Sequence, residues 1–235
     1  TLTSPAKQAM ARPMSIWAKI SDAISALARG ESLSVLFERL RRPPERSVAF
    51  TIAVIALGAK MAKADGQVTR DEVAAFRQVF HIPAADTAAA ARVFNLARED
   101  VAGFQDYARR IARMFEPAAP ILEDLLSGLF HIAQADGHYH PAEDEFLARV
   151  AEIFGISPAR FSALRATFIP DAPQDPFAVL GISPDASAQD IRSRYRTLVR
   201  ENHPDQMQAR GVPPEAVNLA AHKMAAINRA YDEIV

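Results

Sequence analysis

A ten-residue turn signal occurs twice in this chain and restricts its fold more than any other feature. Lys63-Ala-Asp-Gly-Gln-Val-Thr-Arg-Asp-Glu72 recurs as Gln134-Ala-Asp-Gly-His-Tyr-His-Pro-Ala-Glu143. Asp65 answers Asp136, Gly66 answers Gly137 and Glu72 answers Glu143 at the same spacing, and the apolar positions Phe76 and Val79 match Leu147 and Val150. A helix stop and a helix start repeated in this way predict two helical hairpins related by duplication. The surrounding residues 45–168 are rich in alanine and poor in glycine, with no sustained alternation of period two, so this stretch reads as all-helical.

Capping accounts for most of the repeat. A glycine can take the left-handed conformation that ends a helix, and a neighbouring aspartate can bond the freed amides. Thr69 and Glu72 fit a capping box, while Pro141 and Glu143 suit the first turn of the counterpart helix. A second reading gathers Asp65, Asp71 and Glu72 with Asp136, Glu143, Asp144 and Glu145 into an acidic surface. His138 and His140 flank it, so Asp65, Glu72, Asp136, Glu143, His138 and His140 are the candidate ligands for a divalent metal. The spacing is not that of a calcium loop, which places acids at alternating positions before its glycine. With its doubled Ala-Asp-Gly motif and acidic helix start, the stretch resembles the TerB-type domain, an all-helical module named for tellurite resistance. That resemblance implies metal binding or a part in membrane-associated stress systems, without a settled activity.

The rest of the composition removes function classes. A formal net charge of −1 provides no global basic field for nucleic acid, and the absence of cysteine excludes disulfides, thiolate metal sites and cysteine nucleophiles. The longest apolar run, Val48 to Ala59, is shorter than the roughly twenty residues of a membrane-spanning helix and reads as a core helix. Thr1 to Pro13 lacks the pattern of a secretory signal, and with no initiator methionine the chain reads as a fragment or as one whose natural start is Met14. Residues 1–44 carry two short amphipathic stretches, the first with Ile16, Trp17, Ile20, Ile24 and Leu27 and the second with Leu33, Leu36, Phe37 and Leu40. Docking on the main domain is the expectation for both; peripheral contact with a membrane through Trp17 is the other option. The expected location is the cytoplasm, with or without peripheral attachment to the inner membrane, and no transmembrane segment is present in this sequence.

Ile169-Pro-Asp-Ala-Pro-Gln-Asp-Pro176 disfavours helix and marks a Pro-rich linker, placed at 169–175. The four segments are then 1–44, the helical domain 45–168, the linker and a C-terminal module 176–235. After the linker Asp175 to Ile182 reads as a short helix closed by Gly181, and Ser187 caps the next helix with Asp190 at its third position. Ile191, Tyr195, Leu198 and Val199 share one face of that helix. Arg196 and Arg200 lie opposite, with Arg192 and Arg194 on the flanks. Met224, Ile227, Tyr231 and Ile234 form a complementary stripe on the last helix. Between the two lies His203-Pro204-Asp205, where proline restricts its own φ and the preceding residue and so presents histidine and aspartate in a constrained loop.

Phe177-Ala-Val-Leu-Gly-Ile182, Tyr195-Arg-Thr-Leu198, His203-Pro-Asp205 and Ile227-Asn-Arg-Ala-Tyr231 closely resemble the J domain of DnaJ-type co-chaperones. The coupling of this hairpin to a TerB-type domain, with an extended loop Gln206 to Pro214, resembles the DjlA class of J proteins. The resemblance implies an all-α protein that docks on a DnaK-type chaperone of the heat shock protein 70 group and promotes its ATP hydrolysis and substrate capture. Arg192, Arg194, Arg196 and Arg200 would steer association, Asp205 would pair with a basic residue of the chaperone, His203 would hold the loop and Pro204 would fix the turn. The client is not implied. Two departures stand out: Gln206 replaces the lysine that often follows the tripeptide, and the membrane helix usual at the start of this class is missing. No nucleophile or oxyanion site accompanies His203 and Asp205, so no enzyme is expected, and balanced charge without a stacking platform argues against nucleic acid. The competing function is a metal- or partner-sensing stress adaptor in which the TerB-like half is the active part and the J domain only recruits the chaperone.

Overall fold

The structure, a computed structural model, describes residues 16, 19–20, 46–64, 87–88, 91, 103–116, 119–134, 137–169 and 175–235. These are helical or connecting residues, with no strand among those described. The first copy of the repeat, with Asp65, Gly66, Thr69, Asp71, Glu72, Phe76 and Val79, lies outside the described residues, as do Asp136, Trp17, Ile24, Leu27, the second N-terminal stretch and most of the linker.

Helix α1, Arg46–Ala64, is the axis of the first domain. It is apolar on every side, and the structure surrounds it: Val48, Phe50, Ile52, Val54, Ile55, Leu57 and Met61 are all buried. Helices α2 (Phe104–Ala112), α3 (Pro120–Ala133) and α4 (Pro141–Ile153) pack on it, and α5 (Pro158–Phe168) closes over α3. One glycine of each helix lies where α1 meets α3, and of the two only Gly58 is crowded. A Cβ on Gly58 would stand 3.3 Å from Ile132 Cδ1, and one on Gly128 would stand 3.6 Å from Val54. Of the first N-terminal stretch, Ile20 is fully buried in this core and Ile16 packs against it.

The C-terminal module comprises α6 (Pro176–Leu180), α7 (Ala188–Glu201), α8 (Pro204–Ala209), a 3-10 turn Pro214–Ala216 and α9 (Val217–Ile234). Proline occupies the first position of α3, α4, α5, α6 and α8, where its missing N–H and preset φ suit a helix start. Gly181 ends α6 in the left-handed region at φ 65°. Helices α7 and α9 pack along Ile191, Leu198, Ala226, Ile227 and Ala230, with Tyr195 and Tyr231 stacked at 4.1 Å.

The two domains share their interior. Met207, Val212, Ala216, Leu219 and Ala220 of the C-terminal module are buried in the core of the first domain, while Ala166 of α5 packs against the core of the second. No helix among the described residues is long and apolar enough to cross a membrane.

Candidate functional site

His203-Pro204-Asp205, expected from the sequence as a constrained loop between two helices, is the start of a short helix. His203 has φ −62° and ψ 137°, the extended backbone that Pro204 imposes on it, and it caps α8. Its Nδ1 accepts the backbone N–H of Asp205 at 3.3 Å, and its carbonyl accepts the N–H groups of Gln206 and Met207. With Nδ1 as acceptor, the neutral ring carries its proton on Nε2. The Asp205 carboxylate lies 3.7 Å from Nδ1 and is 84% exposed. The segment Gln206 to Pro214 is likewise not an extended loop. It continues α8 to Ala209, turns at Gly211 with φ 114° and enters a 3-10 turn, because a proline at the first helical position and a buried Met207 favour helix over coil.

The four arginines of α7 separate into two environments. Arg196 and Arg200 join Tyr195, Val199, His203, Asp205 and Gln206 around an outer cleft of about 310 Å3. Arg192 is exposed on the same helix outside this cleft. Among the described residues, Arg192, Arg196 and Arg200 make no ion pair. Arg194 turns the other way. It is half-buried, its Nε donates to the Leu180 carbonyl at 3.0 Å, and burial followed by repulsion from Arg160 lowers its pKa.

Arg194 lines an inner cleft of about 300 Å3 between the domains, with Glu123, Asp124, Arg160, Arg210 and Lys223 among the other residues around it. Asp124 of α3 has no solvent exposure. Arg210 Nε donates to its Oδ2 at 2.6 Å and Lys223 Nζ donates to its Oδ1 at 3.0 Å, so each carboxylate oxygen holds one cation of the other domain. Arg210 also donates from Nη1 to the Glu201 carbonyl at 2.7 Å, at the C-terminus of α7. Beside it Arg160 donates from Nε and Nη2 to Glu123 Oε2.

A histidine pair crosses the same interface. His131 of α3 and His222 of α9 meet edge to face at 5.5 Å, and His222 stacks on Phe168 at 5.0 Å. Burial, then the charge of His222, brings His131 down to about 4, and burial lowers His222 as well. Sequence reasoning missed Asp124, Arg210, Lys223 and this pair. One signal was available for Asp124: an acid inside the apolar run Ile121 to Leu129 is either on the solvent side or buried with a partner.

The described part of the acidic repeat is occupied by structure. His140 caps α4 through Nδ1, which accepts the N–H of Ala142, and its own N–H donates to Glu143 Oε2 at 2.9 Å. Asp144 accepts from Tyr139 at 2.9 Å and from Arg165 at 3.0 Å. His138 is exposed. Among the described residues no group of three histidine, aspartate or glutamate side chains is placed to hold a metal ion. At the second copy His140 and Glu143 form a helix cap, while Asp65, Glu72 and Asp136 lie outside the described residues.

Comparison with known proteins divides the chain as the structure does. Residues 51–166 match the family of the tellurite resistance protein TerB, and residues 175–234 match the DnaJ domain. The chain is similar to the co-chaperone protein DjlA of Vibrio parahaemolyticus, 28% identical over 81% of this chain and 78% of the relative. The Coxiella burnetii co-chaperone protein DjlA is 29% identical over 74% of this chain and 72% of its own length. The Escherichia coli co-chaperone protein DjlA is 26% identical over 81% and 80%. No solved structure matches the chain significantly.

Proposed function

We propose that the chain, with a TerB domain followed by a C-terminal DnaJ domain, is a J-domain co-chaperone of the DjlA class that docks on a DnaK-type chaperone and stimulates its ATP hydrolysis. The observation that carries this reading is the outer cleft, where an exposed Asp205, 3.7 Å from His203 Nδ1 and paired to no arginine or lysine among the described residues, stands beside Arg196, Arg200 and the capped His203. Unpaired exposed charges of both signs on one rigid surface suit a partner with a complementary pattern, because they are not already neutralised within the chain. His203 sets the start of α8 through Nδ1 and leaves Nε2 for the partner, while Pro204 holds the turn. Arg192, Arg196 and Arg200 steer the encounter; Arg194, held inside, supports the module and does not meet the chaperone. The TerB domain directs this activity to a client, a partner or a site in the cell.

The test is the ATPase rate of a DnaK-type chaperone in the presence of the intact protein and of His203→Gln. Stimulation by the intact protein and its loss in the variant are expected. An intact protein that leaves the ATPase rate unchanged would sink the reading.

A further inference from the structure

Helix α8 has 6 residues and is too short to hold its own conformation in water, where isolated helices need roughly a dozen residues or more. Its two ends are fixed in different ways. His203 caps the start, and at the far end Arg210 connects three elements with one guanidinium. It follows Ala209 directly, bonds the carbonyl that ends α7, and reaches the buried carboxylate of Asp124 in the other domain. Between the ends, Met207 is buried in the core that α3 belongs to, and Val212 follows it past the left-handed Gly211. Lys223 attaches α9 to the same carboxylate through Nζ, a bond that involves neither α7 nor α8. The planar, two-sided fork of Arg210 is what lets one residue bond Asp124 and Glu201 together; a lysine offers a point charge instead.

We propose that Arg210 is a positioning residue for the docking tripeptide, and that the TerB domain, through Asp124, sets the orientation in which His203 and Asp205 meet the chaperone. The proposal rests on the docking reading above and adds a second domain to the docking apparatus. Fixing α8 before the encounter removes an ordering cost that would otherwise fall on the complex. The consequence is a change in how much co-chaperone is needed and not in how fast the stimulated chaperone can turn over.

Stimulation of a DnaK-type ATPase is measured against concentration for the intact protein, Arg210→Gln, Arg210→Lys and Lys223→Met, with thermal unfolding of each. Arg210→Gln is expected to raise the half-maximal concentration about tenfold at an unchanged maximum, with Arg210→Lys in between. Lys223→Met removes the other partner of Asp124, so it is expected to lower the melting temperature while leaving the half-maximal concentration in place. If Lys223→Met shifts that concentration as far as Arg210→Gln does, or if Arg210→Gln does not shift it, the positioning role is overturned while the docking reading stands. If the intact protein gives no stimulation, the docking reading fails instead. Amide hydrogen exchange then decides the rest: Gln206 to Ala209 must exchange faster in Arg210→Gln than in the intact protein, with Leu122 to Phe130 unchanged, and equal rates at Gln206 to Ala209 overturn the clamp.

Discussion

The two clefts on either side of α7 are nearly equal in volume, about 310 Å3 outside and about 300 Å3 inside, and both are lined by arginine: Arg196 and Arg200 of α7 outside, Arg194 of α7 with Arg160 and Arg210 inside. Their chemistry is opposite. In the outer cleft Arg196, Arg200 and Asp205 are exposed and not ion-paired to one another; in the inner one Arg160 is matched to Glu123, and Arg210 and Lys223 to Asp124. Residue type therefore does not decide whether an arginine is held by the fold or left open to solvent. Burial and pairing do, because an exposed charge loses little by waiting for a partner, whereas a buried one must already have it.

That contrast can be broken from the inside first. Asp124→Ala leaves Arg210 and Lys223 without their buried counter-charge and should cost about 3–5 kcal/mol in urea unfolding. A cost under about 1 kcal/mol would mean that the inner pairs behave like surface ones. Next comes acid. His131 binds its proton near 6.5 when unfolded and only at about 4 when folded. Between these values the unfolded chain holds more protons, so this contribution is complete above pH 6.5 and is lost as pH falls towards 4. On the order of 3 kcal/mol should disappear over that range, and His131→Phe should flatten the profile. A smaller effect is expected at the start of α7, where Ser187 accepts the N–H of Asp190: Ser187→Ala should cost about 1 kcal/mol by thermal unfolding. On the outer side Arg196→Ala should change stability by less than about 0.5 kcal/mol, yet slow association with the chaperone and weaken its dependence on salt. A stability loss as large as that of Asp124→Ala would erase the distinction between the clefts.

What could be read from the sequence was local. Gly181, Ser187 with Asp190 and the stripe of Ile191, Leu198 and Ile227 act within a turn or two of themselves or across one hairpin, and they occupy the roles their spacing predicts. The clamp was not readable for a physical reason. Arg210 and Lys223 lie 86 and 99 positions from Asp124, and an ion pair across such a separation leaves no periodicity in the chain. The arginine face shows the boundary between the two cases. Helical spacing puts Arg192 and Arg194 on flanks of α7, but the packing of α6 and of the first domain beside that flank decides that Arg194 is covered and Arg192 is not. The tripeptide was recognised as a constrained element, while its helical continuation depended on Met207 finding a seat in a core made by residues far upstream.

Met207, Val212, Leu219 and Ala220 reach that seat from the far side of the linker. The J domain here is consequently not an interchangeable cassette. A hairpin transplanted from another co-chaperone would keep its own signature tripeptide and still leave a hole where these side chains belong, and this hairpin moved elsewhere would carry an uncovered apolar patch. An exchange of halves at residues 169–175 would thus disturb the packing of both even when each half remained intact.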